Sequence, residues 1–495
     1  MLEKKKGAFR DPVFILLFFI LAGFLFLNLS DDLLWQDEAE TAVLARNTLE
    51  FGFPRSFDGV NLINPVVYTG FGNDYAWIYH PWIQFYLVAG FFAILGESTF
   101  VARLPFVIFA ILSLPLAYTF TRRMFSRIDV ARTTTLLLTF SVPFLLLMRQ
   151  CRYYALAVFF GLCVFLAYLD FIENKRFALW KLFLSLILLY YSIHGVFIPV
   201  IAALIIHCMI FYYRRDQLKR LLIFITALAA CTLPWFFYSR SYMHEAVITL
   251  HRLRQNFEFQ IRSLNKYIIP TGFLIGVYVV YALRLRRWKV EMSSQDKNAF
   301  KFMFILVGVS IAFFCTVEQR MFRYLVYLFP VFYAILAYII CRWQSRHRFV
   351  TNFLLVVLIA TNLLHSSISY AFTKKFPLKF KSYIAGYLYE ITHPYHGPVE
   401  GIVGFLREHA RPGDTVKIPY PDHSIMFYCK DLKIDNSAHS ENQTYPEWIV
   451  FRRFWSGGEK NLEDPYFKMV QAAYKKYEID APDIPWQNKI GRAHV

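Results

Sequence analysis

Apolar positions in this chain come in long blocks broken by short basic stretches, a pattern neither of alternating strands nor of soluble amphipathic helices. The blocks recur through residue 372 and are long enough to cross about 30 Å of hydrocarbon as helices. They predict about eleven spans, near 12–30, 101–121, 131–148, 153–172, 180–194, 196–213, 219–238, 267–283, 299–316, 322–341 and 349–372. After Phe372 the pattern changes to polar residues, prolines and glycines. "GIVGFLREHARPGDTVKIPY" predicts a helix, a Pro-Gly-Asp turn and a strand, while "HSIMFYCKDLKI" and "EWIVFRRF" predict another helix and more strands. The expected fold class is an all-α polytopic membrane protein, residues 1–372, carrying a small α/β extracytoplasmic C-terminal domain, residues 373–495.

Composition agrees: of 495 residues 57% are hydrophobic and 18% charged, which excludes a soluble globular protein. The net charge of +18 sits in clusters between apolar blocks, so it reads as topology and not as a nucleic-acid surface. "KKKGAFR", "TRRMFSR", "ENKRF", "YYRRDQLKR", "RLRRWKVEMSSQDK" and "RWQSRHR" occupy every second loop and place the N-terminus in the cytoplasm. Residues 30–100, Arg149–Tyr154, His194, 239–266 and 318–324 then face outward, as does the C-terminal part. The expected location is the cell (inner) membrane, multi-pass, with the lipid bilayer as partner. A cysteine placed near Asn61 should react from outside and one near Gln217 should not. His80–Gly96, though apolar, would invert every later loop if it crossed, so it is expected in the outer interface. "KKK" followed by a long apolar block without a small-x-small cleavage site predicts a retained first helix. The seven cysteines show neither a disulfide framework nor zinc-site spacing. The closing "IGRAHV", residues 490–495, looks like a translated sequencing-library adapter, which predicts a non-native tail on a truncated C-terminal domain.

Candidate chemistry gathers on the outer side. Directly behind the first block come Asp31, Asp32, Asp37, Glu38 and Glu40. Asp37 and Glu40 form a D-x-x-E capping box, so a short helix starting there explains them structurally. Asp37 and Glu38, about 100° apart on a helix, would need different jobs if they meet a substrate. Arg149 and Arg152, and later Arg320 and Arg323, stand at outer span ends, where a guanidinium either anchors in the interface or grips a phosphate with its planar fork. His80, His194, Tyr153, Tyr154, Tyr324 and Trp35 stand at the same level, as interface residues or substrate contacts.

The D-E pair behind the first block, "HPW" leading to "GESTFVARLP", then "RRMF", "RQCRYYALA" and "FRYLVYLFP" together resemble the GT-C membrane glycosyltransferases. The nearest likeness is to the protein O-mannosyltransferase and aminoarabinose-transferase group. The resemblance covers residues 10–370 and implies a GT-C helical bundle with surface helices in the first outer loop. It implies a polyprenyl-phosphate sugar as donor substrate and a lipid, glycan or protein as acceptor. By the family pattern Asp37 is the general base, Glu38 positions the acceptor, and Arg149, Arg152, Arg320 or Arg323 neutralises the departing phosphate, with inversion at the anomeric carbon. No cofactor is expected. A divalent metal is not supported, because the second outer loop reads "RQCRYYAL" where relatives that bind one carry an acidic D-x-D. A lipid-linked-sugar flippase or transporter, or a glycan polymerase, is the alternative. A carrier would place its charges near mid-membrane, and here they collect at one surface.

Overall fold

The computed structural model describes residues 7–63, 70–72, 74–212, 218–241, 249–285, 292–318, 320–366, 381–394, 397–418, 423–435 and 446–450. The expected tail at 490–495, the strand residues of "FRRF" and the reference position Gln217 lie outside them. The chain divides into two compact units, one of Met1–Leu27 with Phe106–Thr392, the other of Asn28–Pro105 with His393–Ala493.

The first unit is helical. Asp11 accepts from the Val13 amide at 3.1 Å and Pro12 opens helix α1, Pro12–Phe26. Helices α4 (Thr99–Phe125), α5 (Ile128–Thr139), α6 (Val142–Met148), α7 (Tyr154–Ile172), α8 (Ala178–Ser192), α9 (His194–Phe211) and α10 (Leu218–Tyr238) follow. After them come α11 (Leu250–Tyr267), α12 (Thr271–Leu285), α13 (Ser294–Thr316), a 3₁₀ turn at Phe322–Leu328, α14 (Phe329–Gln344) and α15 (Arg348–Ala360). The main packing pairs are α7 with α8, α5 with α14 and α9 with α13. Buried aromatics fill the space between them: Tyr168 stacks on Phe302 at 5.6 Å and its hydroxyl meets His207 Nδ1 at 2.8 Å.

Among the described residues six helices are long and apolar enough to cross a membrane, or up to eight if two bent pairs each count as one span. The expected count of about eleven is not reached by these helices alone. The block 131–148 is not one rod: α5 stops at Thr139 and α6 restarts under a Ser141 cap with Pro143 in its first turn, the two bent by 65°. Proline offers no amide and its ring crowds the preceding turn, which favours a kink or break there. The pair Leu250–Tyr267 and Thr271–Val280 is bent by 81°, with Pro270 at the break. Three further expected spans are helical over only 13–15 residues, Pro12–Phe26, Ala178–Ser192 and Arg348–Ala360.

The second unit holds α2 (Gln36–Phe51) and α3 (Ile83–Leu95), which pack on each other. The 13 residues of α3 reach about 20 Å, shorter than the hydrocarbon thickness of a bilayer. Gly52, at φ 80°, ends α2 in the left-handed conformation that glycine takes without strain. The C-terminal part contributes helices Pro398–His409 and His423–Tyr428 and three parallel strands, β1 (Thr415–Lys417), β2 (Lys433–Asp435) and β3 (Trp448–Ile449), in the order β2-β1-β3. Helix His423–Tyr428 lies against α2. Asn61, expected as an open loop position, is buried: its amide donates to the Leu432 carbonyl at 3.0 Å and accepts from the Ile434 amide at 2.7 Å.

Candidate active site

The acidic stretch is organised from the start of α2. The helix begins two residues earlier than the D-x-x-E pattern suggests. Trp35 is its N-cap, and Glu38, not Glu40, reaches back to accept from the Trp35 amide at 3.3 Å. The indole N–H of Trp35 can only donate, so this return arm is the half of a capping box that chemistry allows. The structure thereby corrects the assignment of the cap to Asp37 and Glu40.

Glu38 is 1% exposed and forms a fork-to-fork pair with Arg103: Nε donates to Oε1 at 2.9 Å and Nη2 to Oε2 at 2.8 Å. The remaining donors of Arg103 go to the carbonyls of Leu29 at 2.8 Å, Asp32 at 2.9 Å and Leu33 at 3.3 Å. All five N–H groups of this guanidinium therefore have acceptors. Tyr428 adds a further tie, accepting from the Leu34 amide at 2.8 Å, and burial pushes its phenol above the usual value. These contacts fix the backbone that carries Asp37. Asp37 itself, on another face of the first turn, is half-buried, and its carbonyl accepts from the Thr41 hydroxyl at 3.2 Å. One turn on, Glu40 Oε1 stands 3.6 Å from His80 Nδ1, and the His80 ring stacks on Trp77.

The other candidates belong to the helical unit. Arg149 closes α6, and its Nη1 donates to the carbonyls of Phe24 at 2.9 Å and Leu27 at 2.8 Å, so it caps the C-terminal end of α1. Arg152 is buried with its guanidinium 5.3 Å from the Tyr153 ring centre, and Arg323 stands 5.8 Å from the ring centre of Tyr154. The two tyrosine rings meet edge to face at 4.8 Å, so Arg152, Tyr153, Tyr154 and Arg323 form one cluster at the start of α7. Tyr324 faces away from the cluster onto Phe314, stacked at 5.7 Å. Arg320 is held on α11 by Gln255 and by Asn256, whose Oδ1 accepts at 2.9 Å. His194, half-buried, is the first residue of α9.

Arg103 was not a sequence candidate, since "FVARLPF" reads as the entry to a span. Its signal is a lone cation in the first turn of a long apolar helix. Among the described residues no three His, Cys, Asp or Glu side chains gather as a metal-binding group.

No protein-family model and no curated protein matches the chain. Solved structures do. ArnT from Cupriavidus metallidurans in the apo state superposes with TM-score 0.58 at 15% identity, covering 84% of each chain. The fold is that of ArnT. ArnT bound to undecaprenyl phosphate gives TM-score 0.56 at 14% identity over 85% of each chain. An oligosaccharyltransferase from Archaeoglobus fulgidus gives 0.43 at 14% identity over 89% of this chain and 59% of that one, too loose to argue from. The ArnT fold is the GT-C architecture that the order of motifs implies.

Proposed function

We propose that the protein is an integral membrane glycosyltransferase that moves a sugar from a polyprenyl-phosphate carrier to a lipid, glycan or protein acceptor on the outer side of the membrane. The observation that carries this reading is the ArnT fold over 84% of the chain, together with undecaprenyl phosphate being what ArnT holds in the second structure. In the proposed step an acceptor oxygen attacks the anomeric carbon. The bond from that carbon to the phosphate oxygen breaks with inversion, and polyprenyl phosphate departs carrying the bonding pair. The hydroxyl proton goes to Asp37, the carboxylate of the D-E pair whose side chain is not tied into the Arg103 fork.

Glu38, gripped by Arg103, serves this chemistry best by holding the first turn of α2 in place. Arg152 and Arg323 are the favoured partners of the departing phosphate. A guanidinium lying on a ring keeps its full positive charge, and charge is needed where the oxyanion grows. Arg149 and Arg320 are each hydrogen-bonded to other elements, Arg149 to the end of α1 and Arg320 to α11. The proposed orientation, from the basic clusters, puts the N-terminus in the cytoplasm and the C-terminal part outside.

The test is a transfer assay on the full chain reconstituted with radiolabelled polyprenyl-phosphate sugars, hexosyl and pentosyl. Label should leave the carrier lipid, and Asp37→Asn should slow this about 10²–10⁴-fold with an unchanged melting temperature. If the lipid changes leaflet while no label leaves it, the protein is a carrier and the proposal fails.

A further inference from the structure

At the end of α7 remote from Tyr154 the chain turns back into α8 through Glu173–Phe177. The 19 residues of α7 separate the two ends by about 28 Å, close to the hydrocarbon thickness of a bilayer. A pocket of about 260 Å³ opens in this turn. Lys175 and Arg220 bring charge to its wall, and Phe171, Phe177 and Trp180 bring aromatic surface.

The surrounding charge does not cancel. Asp170 pairs with Arg123 at 2.8 Å, Lys175 at 3.0 Å and Lys181 at 3.1 Å, and Glu173 pairs with Arg123 at 3.0 Å and Lys175 at 2.6 Å. Two carboxylates are thus already shared among three cations, and Arg176, whose guanidinium lies 4.6 Å from the Phe177 ring centre, and Arg220 add to the surplus. Phe177 adopts φ 60°, a left-handed conformation that strains a bulky residue. That turn leaves the ring outside: Phe177 is 62% and Trp180 63% exposed. The apolar surface continues away from the pocket, along Leu184 one turn beyond Trp180 on α8 and along Leu222 and Ile223 beside Arg220 on α10, all exposed.

We propose that this pocket seats the phosphate head group of an anionic phospholipid from the leaflet at this end of α7, with the acyl chains lying along the exposed faces of α8 and α10. The positive surplus selects an anion, and the aromatic rim and apolar faces select one that carries a lipid tail. A free inorganic phosphate would use the cations and leave those faces bare. The site lies at the opposite end of α7 from the arginine–tyrosine cluster and does not rest on the glycosyltransferase reading.

Native mass spectrometry of the full chain, in detergent carrying either dioleoyl phosphatidylglycerol or dioleoyl phosphatidylcholine, tests it. The unsubstituted protein should retain the anionic lipid in preference. Arg220→Glu should weaken that lipid at least about tenfold and leave the zwitterionic one unchanged, since each basic residue near a membrane surface contributes by charge. Trp180→Ala should weaken both lipids. An unchanged preference in Arg220→Glu overturns the proposal, as does inorganic phosphate alone binding as tightly as the lipid. If Arg220→Glu fails to fold, Arg220→Ala combined with Arg176→Ala reads the same preference with the same two outcomes.

Discussion

The start of α2 and the start of α7 both keep a guanidinium out of water, by opposite means. Arg103 is saturated: five hydrogen bonds, two of them to a carboxylate, cancel its charge and fix its position. Arg152 and Arg323 lie over the rings of Tyr153 and Tyr154. A ring quadrupole attracts a cation without neutralising it, whereas a carboxylate does both. The first arrangement ties its cation to one carboxylate and three carbonyls, and the second sets an aromatic face against each of its cations.

Removing the scaffold should do the most damage. Arg103→Ala leaves Glu38 buried without its partner and takes the donor away from three carbonyls, a loss of about 3–5 kcal/mol, read as reduced thermal stability in detergent. Arg103→Lys, which keeps charge but cannot fork, should lose less, and equal stability of the lysine variant and the parent would break the contrast. At the other site, Arg152→Gln should hardly move the melting temperature yet raise the KM for the donor about tenfold, as expected of one charge-assisted contact. A stability loss as large as that of Arg103→Ala would make it scaffold too.

A smaller effect concerns acid. Burial pushes the Asp11 carboxyl up, but Arg132 at 2.8 Å and the Tyr118 hydroxyl at 2.7 Å outweigh it and hold it below its ordinary 3.8. Its contribution is therefore complete above about pH 4 and is lost as pH falls through the lower, folded value. Asp11→Asn, which keeps the cap on α1, should flatten that acid limb in melts taken across pH 2–5. The smallest perturbation is a single thiol. Since Asn61 is buried, Val60→Cys, at a residue 56% exposed, is the better outer probe and should react with an impermeant reagent in intact cells, while Arg176→Cys should not.

Much of this was legible in the sequence, and the failures have physical causes. The apolar blocks located the helices, but hydropathy sums composition over a window and cannot see where a helix breaks. The expected rod 131–148 is therefore a pair bent next to Pro143, and the expected outer loop 239–266 holds a helix that meets the next one at a bend next to Pro270. The C-terminal helix, turn and strand of "GIVGFLREHARPGDTVKIPY" were readable because the Pro-Gly-Asp signal is local; helix Pro398–His409 and β1 stand where it placed them. The D-E pair was located correctly but its cap was not. A cap made from a backbone amide of tryptophan leaves no mark in residue type. Arg103 stayed hidden because its partners lie 65 to 74 positions away, and Arg149, 122 and 125 positions from the carbonyls it caps, looked like a free cation for the same reason.

The saturation of Arg103 also bears on motion. Leu29, Asp32, Leu33 and Glu38 share one guanidinium, so none of these positions can swing out without breaking bonds that the others keep. The stretch from Leu29 to Glu38 should open as a whole or not at all, its amide protons exchanging with deuterium at one common rate. On the proposed function, any rearrangement that admits an acceptor to Asp37 then has to come from the walls around this segment, with the backbone of Asp37 as the fixed point.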